Sequence, residues 1–456
     1  MTVKTTILKH IHTLIPMTGT LLEAGTALHD ATVIVRDNAI AWVGASAEAP
    51  VITGPQTTVD MSDSIVLPGL VNTHHHLYQT LTRAMAQNSE LFDWLKVLYK
   101  IWLGMDSDAI YTSALTGLSE LILSGCTTAS DHLYIYPNDC RLDDEIRAAK
   151  EIGLRFHATR GSMSLGESQG GLPPDKATES EPAILRDTVR VIEAYHDDRR
   201  FSMLRIAVAP CSPFSVTADL MRESAAMARQ YGVMLHTHLA ETRDEEAFCL
   251  ARSGMRPLDF AESVNWLGDD VWFAHGVHFN PSDIRHMSET GCGVAHCPTS
   301  NMRLASGIAP IRLMLDSGMN VGLGVDGSAS NDSSHLLAEA RQAMLLQRVL
   351  NGSTVFSAAD AIWLATRGGA AVLGRDDIGQ ITPGYAADMI GIKLNRLAYA
   401  GALHDPPAAV VFCAPQGIDF SMIGGREIVR DGRLLTIDTG RLVERHNKIS
   451  QRLLNA

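Results

Sequence analysis

Three histidines stand in a row at residues 74–76, directly after the short apolar run IVLPGLVNT at 65–73. If this run is a β-strand, His74 and His76 point to the same face, because successive strand side chains alternate, whereas His75 points away. Two imidazoles spaced in this way can bind one metal ion. An isolated His-x-His pair also arises by chance, so the motif predicts a metal site only where other segments supply further ligands.

Further candidate ligands follow other apolar runs. His238 lies in VMLHTHL at 233–239 with Glu241 three residues later, His275 lies in VWFAHGV at 271–277, and Asp326 ends VGLGVD at 321–326. Imidazoles together with a carboxylate suit Zn²⁺ or a similar divalent ion. We therefore predict a metal site built from the ends of several strands.

These residue types also fit the needs of hydrolysis. A catalytic metal site leaves one position for water and lowers the pKa of that water towards 7. The hydroxide so generated needs a proton acceptor and a proton donor nearby. Asp326 can bind the metal and accept the proton, Glu241 can carry a proton to a substrate nitrogen, and His275 can hydrogen-bond the nucleophile or the developing charge. The set predicts metal-assisted hydrolysis at an amide-like or amidine-like carbon.

The elements that must position these residues are eight short apolar runs, most of them followed by a helical pattern. The runs lie at 65–73, 127–131, 154–160, 204–210, 233–239, 271–277, 292–297 and 321–326. This alternation is typical of an α/β fold with a closed (β/α)8 TIM barrel, whose active site lies at the C-terminal ends of its strands. A doubly wound open sheet is the alternative, but no Gly-x-Gly-x-x-Gly sequence follows the first strand.

The two ends of the chain have a different pattern. Residues 1–64 contain short β segments separated by turn signals such as Arg36-Asp37-Asn38, and the last 80 or so residues show similar segments in ADMIGIKL, AAVVFC and IDFSMIGGREIVRDGRLL. We predict a small β-sandwich formed by residues 1–64 and 373–456, beside a barrel of residues 65–372. The Gly/Pro/Glu-rich segment 167–182 is either a functional loop or a flexible surface excursion.

Composition excludes several classes of protein. The 456 residues include 51 Asp and Glu against 38 Lys and Arg, and this net charge of −13 argues against a nucleic-acid partner. The seven cysteines contain no Cys-x-x-Cys pair, which predicts reduced thiols rather than disulfides or a cysteine zinc site. Because we recognise neither a signal peptide nor a membrane-length apolar run, we expect a cytoplasmic protein without a membrane partner.

Five motifs, in order along the chain, resemble the amidohydrolase superfamily and its aminohydrolase branch, which includes guanine, cytosine and S-adenosylhomocysteine deaminases and triazine hydrolases. The motifs are PGLVNTHHH, HTHLAE, AHGVH, HCPTSNMRLASG and GLGVDGSASND, and ITPGYAADMIGI resembles the C-terminal strands of the family. The resemblance implies one divalent ion, zinc or else iron, and a homo-oligomer. The implied metal ligands are His74, His76, His238 and Asp326, and the implied catalytic residues are Glu241, His275 and Asp326.

Strand four, LRIAVAP, contains no lysine, which argues against the branches that hold two metal ions on a carboxylated lysine. Within the family, the segment HHHLYQTLTRAMAQNSELFDWLKVLYKIW and the loop ESQGGLPPD are most similar to 8-oxoguanine deaminases. That resemblance implies conversion of 8-oxoguanine, a purine-like small molecule, to uric acid and ammonia. The alternatives are another flat heterocycle, namely a hydroxyatrazine-type triazine, isocytosine, guanine or a pterin. A catalytically silent metal-binding barrel is a remote alternative.

Two polar residues are candidates for contacts with the substrate. Gln79 follows the histidines by three residues, and its amide offers both a donor and an acceptor to a purine edge, unless it is a solvated loop side chain. Arg160 ends strand three and could donate to a ring carbonyl, unless it forms a structural ion pair. Trp94 and Trp102 either wall a flat pocket or simply pack. The roles of three histidines near the barrel mouth stay open, and these are His132, His236 and His278.

Overall fold

The N-terminal segment forms β-strands, as the alternation of β-branched and polar residues predicts. The computed structural model describes residues 4–21, 23 and 25–455. Its first strands are β1 (Thr5–Leu14), β2 (Leu28–Arg36), β3 (Ala39–Ala45), β4 (Gln56–Asp60) and β5 (Ser64–Pro68). β2 and β3 form a hairpin closed by Asp37 and Asn38, and Asp37 adopts the positive φ of 54° that such tight turns require.

Eight parallel strands form a closed barrel, which confirms the predicted fold class and excludes the open sheet. They are β6 (Leu70–Asn72), β7 (Cys126–Leu133), β8 (Arg155–Ser162), β9 (Leu204–Pro210), β10 (Met234–Leu239), β11 (Val271–His275), β12 (Gly293–His296) and β13 (Asn320–Leu323). The strands follow one another around the barrel in chain order, and β13 closes it against β6. The C-terminal ends of all eight strands therefore meet at one mouth.

Helices cover the outside of the barrel. They are α1 (Leu91–Trp102), α2 (Ser107–Leu123), α3 (Leu142–Ile152), α4 (Glu181–Tyr195), α5 (Ala218–Tyr231), α6 (Arg243–Ser253), α7 (Pro257–Ser263), α8 (Pro281–Thr290), α9 (Pro298–Arg303), α10 (Ile311–Asp316), α11 (Leu336–Asn351), α12 (Ala358–Trp363), α13 (Gly369–Val372), α14 (Pro406–Phe412) and α15 (Thr439–Leu454). α5 shows typical boundaries, because the Thr217 side chain caps its first turn and Gly232, with a φ of 65°, ends it. Across the described residues, every helix is too short or too polar to traverse a lipid bilayer.

The C-terminal strands complete the mixed sheet that β1–β5 begin. β14 (Met389–Lys393), β15 (Phe420–Ile423), β16 (Arg426–Arg430) and β17 (Arg433–Leu434) continue the sheet in the order β17-β16-β15-β14-β5-β1-β2-β3, and β4 pairs with β1. The two ends of the chain meet where β14 pairs antiparallel with β5. Strands from both ends share one hydrophobic core, so the mixed sheet curls over apolar side chains such as Leu8, Val33, Val66, Met389 and Phe420.

Two details differ from the sequence prediction. The first predicted run, 65–73, is two strands, because β5 belongs to the mixed sheet and only β6 belongs to the barrel. Gly69 separates them, and a Cβ at this position would lie 2.0 Å from the Thr127 hydroxyl oxygen. The last 80 residues also contain helices, since AAVVFC lies largely in α14. A short apolar run of this kind does not distinguish a strand from a helix.

The C-terminal helix returns to the barrel mouth. α15 packs on α2 and on the 3₁₀ turn at Leu77–Thr82, which follows the three histidines. His446 Nε2 lies 2.9 Å from the Thr80 hydroxyl, and the Ser450 hydroxyl donates to the carbonyl of Leu81 at 2.7 Å. The segment that carries Gln79 is therefore held from outside by the end of the chain.

Candidate functional site

The barrel mouth brings four of the predicted residues together. His74 and His76 follow β6, His238 lies in β10 and Asp326 follows β13, and all four side chains are buried. Asp326 Oδ1 lies 3.3 Å from Nε2 of His74 and 3.3 Å from Nε2 of His76, and the Nε2 atoms of His76 and His238 are 3.1 Å apart. Three strand ends thus place four potential ligand atoms around one point.

Hydrogen bonds decide which nitrogen of each imidazole faces this point. His76 Nδ1 donates to the backbone carbonyl of His132 at 2.8 Å, and His238 Nδ1 donates to the carbonyl of Cys211 at 2.6 Å. Burial lowers the pKa of His238 to about 3, which keeps this ring neutral. In a neutral ring with a protonated Nδ1, Nε2 carries a lone pair. His238 Nε2 therefore faces the centre as an acceptor, and His76 Nε2 faces the same point from 3.1 Å away.

His74 also has its Nδ1 engaged, in this case by a second histidine, so that its Nε2 faces the centre. His236 Nδ1 donates to the carbonyl of Trp272 at 2.9 Å, so its Nε2 is free to accept from His74 Nδ1 at 2.8 Å. His74 Nε2 is then left as a buried lone pair without a hydrogen-bond partner. This relay gives a role to His236, which the sequence prediction left open. The signal was present, because His236 and His238 are two residues apart on one strand face.

The donor set fits one divalent ion. Ligands at 2.0–2.1 Å from a zinc ion and about 90–110° from one another lie about 2.9–3.4 Å apart, which includes the spacings of 3.1 and 3.3 Å seen here. Three imidazole lone pairs and one carboxylate are also the ligand chemistry that such an ion prefers. The residues that would hold the ion are His74, His76, His238 and Asp326.

Asp326 is held by neighbours that the sequence prediction did not name. Its Oδ2 accepts from the hydroxyls of Ser300 at 2.5 Å and Ser330 at 3.1 Å, and its Oδ1 accepts from the Gly327 amide at 2.7 Å. Asp326 itself has a φ of 62°, which is unusual for a residue with a side chain. These bonds fix the carboxylate, so Oδ1 faces the histidines.

Glu241 and His275 lie beside the ligand cluster, as predicted. Glu241 Oε2 is 3.6 Å from His275 Nε2, and His275 Nε2 is 3.9 Å from Asp326 Oδ2. His275 Nδ1 donates to the Asn301 side-chain oxygen at 2.9 Å, so a neutral His275 presents an acceptor to the cavity. Burial and the nearby Asp326 raise the pKa of Glu241 well above its ordinary value. Asn301, to which the sequence prediction gave no role, therefore orients His275.

These residues form the floor of a cavity at the barrel mouth. Its opposite wall is apolar and consists of Leu91, Trp94, Leu95, Phe214 and Leu304. Gln79 also lines the cavity; its Oε1 accepts weakly from the Ala329 amide at 3.4 Å, whereas its buried Nε2 has no partner. Trp94 is part of the wall, but Trp102 is not among the lining residues and its indole N–H donates to Thr82.

Arg160 is not brought to this cavity, so our expectation that it contacts the substrate is wrong. Its guanidinium binds Glu179 at 2.9 Å and Asp187 at 2.9 Å and stacks 3.9 Å from the ring centre of Tyr136. The structural ion pair, which was the alternative, is the observed state.

Three other histidines near the mouth, His75, His132 and His278, have structural contacts. His75 Nε2 lies 3.0 Å from the Ser334 hydroxyl, His132 Nε2 donates to the carbonyl of Ala209 at 2.8 Å, and His278 Nε2 donates to the carbonyl of Ser306 at 3.0 Å.

Comparisons with known proteins show the family to which the chain belongs. The Amidohydrolase family model matches residues 65–428. An 8-oxoguanine deaminase of Pseudomonas aeruginosa is 49% identical over 399 residues, covering 87% of this chain and 89% of the relative. A hydroxydechloroatrazine ethylaminohydrolase of Pseudomonas sp. strain ADP is 38% identical, covering 94% and 93%. The crystal structure of atrazine chlorohydrolase from Arthrobacter aurescens TC1, complexed with zinc, superposes with a TM-score of 0.92 at 32% identity, covering 98% and 100%.

Proposed function

Since the chain belongs to the amidohydrolase family and is a hydrolase acting on C–N bonds, we propose that it deaminates 8-oxoguanine to uric acid and ammonia with one bound divalent ion, zinc or else iron. The observation that carries the proposal is the buried, unpartnered Gln79 amide N–H₂ group in a cavity that is also lined by apolar side chains. A free donor beside such side chains suits the polar edge of a planar ring. The 49% identity to an 8-oxoguanine deaminase supports the choice of ring.

When bound, the ion acts as a Lewis acid that makes a water molecule nucleophilic near neutral pH. Asp326 accepts the proton of this water and passes it to the departing ammonia. Glu241, whose raised pKa favours the protonated carboxyl, donates to the ring nitrogen beside C2. His275 accepts a hydrogen bond from the attacking water at Nε2, because its Nδ1–H is engaged by Asn301. Deamination at the amidine-like C2 carbon follows.

The other flat heterocycles are the second candidate, favoured by the 38% identity to a hydroxydechloroatrazine ethylaminohydrolase. A hydroxylated triazine, isocytosine, guanine or a pterin would lie against the same apolar wall. All six predicted metal and catalytic side chains are present, which disfavours a catalytically silent barrel. A homo-oligomer, a cytoplasmic location and the absence of a nucleic-acid partner stay predictions.

The test is release of ammonia, or of ethylamine in the case of hydroxyatrazine, by the metal-loaded protein, compared as kcat/KM across 8-oxoguanine, guanine, isocytosine, hydroxyatrazine and a pterin. In 8-oxoguanine N7 is a donor, whereas in guanine it is an acceptor. Each buried group left unpaired costs about 1–3 kcal/mol, so two mismatches lower guanine turnover by about 10²–10⁴-fold. Equal or better turnover of guanine would refute the substrate assignment, and release of neither ammonia nor ethylamine from any of these rings would favour the silent barrel.

A further inference from the structure

Glu241 lies in the cavity although its spacing from His238 does not predict this. On a regular strand, residues three apart point to opposite faces. β10 ends at Leu239, and the next residue, Ala240, has a φ of 54° in the left-handed region. This one residue interrupts the alternation of the strand, so His238 and Glu241 both line the cavity.

The left-handed turn is held by a buried carboxylate. The backbone N–H of Ala240 donates to Glu245 Oε1 and the backbone N–H of Glu241 donates to Glu245 Oε2, each at 2.8 Å. Glu245 lies in the first turn of α6 and is fully buried. Its two oxygens therefore bind the two backbone N–H groups that flank the Cα of Ala240, the residue whose turn directs Glu241 into the cavity.

This arrangement differs from ordinary helix capping. Thr242 is the N-cap of α6, and its side chain accepts from the Glu245 amide. In a capping box the carboxylate of the third helical residue returns to the backbone N–H of the N-cap residue itself. Here the carboxylate reaches past Thr242 to the two preceding amides. Its contacts therefore serve the turn at Ala240 rather than only the end of the helix.

A left-handed conformation is unfavourable for a residue with a Cβ and needs compensating contacts. At Ala240 the contacts are the Glu245 carboxylate and a bond from the His278 amide to the Ala240 carbonyl at 2.9 Å. Without the carboxylate, two buried amides lose their acceptor and the turn loses its main support.

We propose that Glu245 is a positioning residue that maintains the left-handed turn at Ala240 and so holds the Glu241 carboxyl beside His275. The proposal rests on the proton-carrying role of Glu241 in the proposed function. Glu245 is not among the residues that line the cavity, and its side chain bonds to the backbone of residues 240 and 241.

The experiment compares Glu245→Gln with the unmodified protein, with Glu241→Gln, and with Glu246→Gln as a matched control. Glu246 is the next residue of α6, but its carboxylate pairs with Arg256 at 3.1 Å rather than with the amides of the turn. Glutamine at 245 keeps the shape but sets an N–H₂ group against a backbone N–H. We expect kcat for 8-oxoguanine to fall about 10–100-fold, with KM within about twofold and metal content unchanged. Glu246→Gln should match the unmodified protein.

Two further readouts separate positioning from a general loss of stability. Glu241→Gln should remove one limb of the pH–kcat profile. In Glu245→Gln the same limb should remain but shift. Ala240→Gly, placed in the Glu245→Gln background, should recover several-fold in kcat, because glycine adopts positive φ without strain. If Glu245→Gln does not fold, Glu245→Asp takes its place, since the shorter side chain reaches at most one of the two amides.

An unchanged kcat and pH profile in Glu245→Gln would overturn the proposal, as would a loss that Ala240→Gly does not recover. Crystal structures of the metal-loaded proteins give a test that needs no substrate. Glu241 should leave its position 3.6 Å from His275 in Glu245→Gln, and an unmoved Glu241 would overturn the proposal. If the unmodified protein deaminates none of the heterocycles, the proposed function fails, and these structures still decide the role of Glu245.

Discussion

The Nε2 atoms of His76 and His238 face each other at 3.1 Å, while the Nδ1 atom of each ring donates to a backbone carbonyl. Only the Nε2 atom of each ring is therefore left to face the other ring, and two Nε2 lone pairs at this distance repel unless a cation or a shared proton lies between them. The barrel scaffold, rather than a flexible loop, imposes this arrangement, since the two residues belong to different strand ends.

The first prediction follows from that arrangement and concerns metal removal. Chelation should abolish turnover but leave the far-ultraviolet circular dichroism nearly unchanged, because the ligands are positioned by strands whose pairing does not need the ion. Elemental analysis of the active protein should give close to one divalent ion per chain. A requirement for two tightly bound ions would contradict the mononuclear site.

Glu241→Gln should lower kcat by about 10²–10⁴-fold, the usual contribution of general acid–base catalysis. Glutamine keeps the shape of the side chain but cannot carry a proton. Metal content, measured by elemental analysis, should not change, because Glu241 is outside the four-ligand set. A variant that loses its metal would instead identify Glu241 as a ligand.

Gln79→Leu should reduce kcat/KM for 8-oxoguanine by about tenfold or more, since it removes a buried donor and acceptor from the cavity wall. The metal should remain bound, which elemental analysis checks. The loss should be larger for 8-oxoguanine than for hydroxyatrazine if the amide binds the purine edge. An equal loss for both rings would indicate that Gln79 only shapes the segment at 77–82.

Arg160→Gln should lower the melting temperature without changing KM, because the guanidinium holds two carboxylates outside the cavity. The cost should be about 1–3 kcal/mol in the free energy of unfolding, because Arg160 is buried but the carboxylates of Glu179 and Asp187 are part-exposed and stay solvated without it. Steady-state kinetics on the folded fraction and thermal unfolding measure the two effects separately. A rise in KM with normal stability would restore Arg160 as a substrate contact.

Asp377→Asn should destabilise the protein in a pH-dependent way. Asp377 is buried, and although burial raises its pKa, the bonds from Arg375 and from the Phe201 amide lower it further, from its ordinary 3.8 to about 2. Because the folded pKa is below the unfolded value, this stabilisation is complete above about pH 4 and is lost as the pH falls towards 2.

We therefore expect Asp377→Asn to cost about 2 kcal/mol in urea unfolding at pH 7, and less at pH 3. Asp376→Asn is the matched control, since that neighbouring side chain is 92% exposed and lies 3.6 Å from Arg200. An equal cost for Asp377→Asn at both pH values would mean that the carboxylate charge contributes nothing.

The barrel and its strand-end residues could be predicted because each depends on local pattern and on one topological rule. His74, His76, His238 and Asp326 follow apolar runs, and parallel strands of a barrel bring such positions to one mouth. The orientation of Arg160 could not be predicted in the same way. Its partners, Glu179 and Asp187, lie 19 and 27 residues further along the chain, and nothing local indicates that the side chain turns towards them.

The buried contacts of the site could not be predicted from the sequence either. The relay through His236 depends on which nitrogen bonds to the Trp272 carbonyl, and the turn at Ala240 depends on two amides finding one carboxylate. These contacts join residues of different elements, and the periodicity of a single segment carries no information about them. The helix α14 was missed for a different reason, since a short apolar run fits a strand or a helix. In α15 the helical spacing of Leu442, His446, Ile449 and Leu453 is a signal that the sequence prediction overlooked.

The pairing of β5 with β14 has a consequence for how the protein is made. During synthesis β5 (Ser64–Pro68) cannot pair with β14 (Met389–Lys393) until β14 has been made. At about 5–20 residues per second this delay is on the order of tens of seconds. Throughout that time the N-terminal strands present an open, apolar edge, which is the kind of surface that pairs with other chains. A nascent or prematurely terminated chain therefore carries its greatest aggregation hazard at its beginning, until its last quarter has left the ribosome.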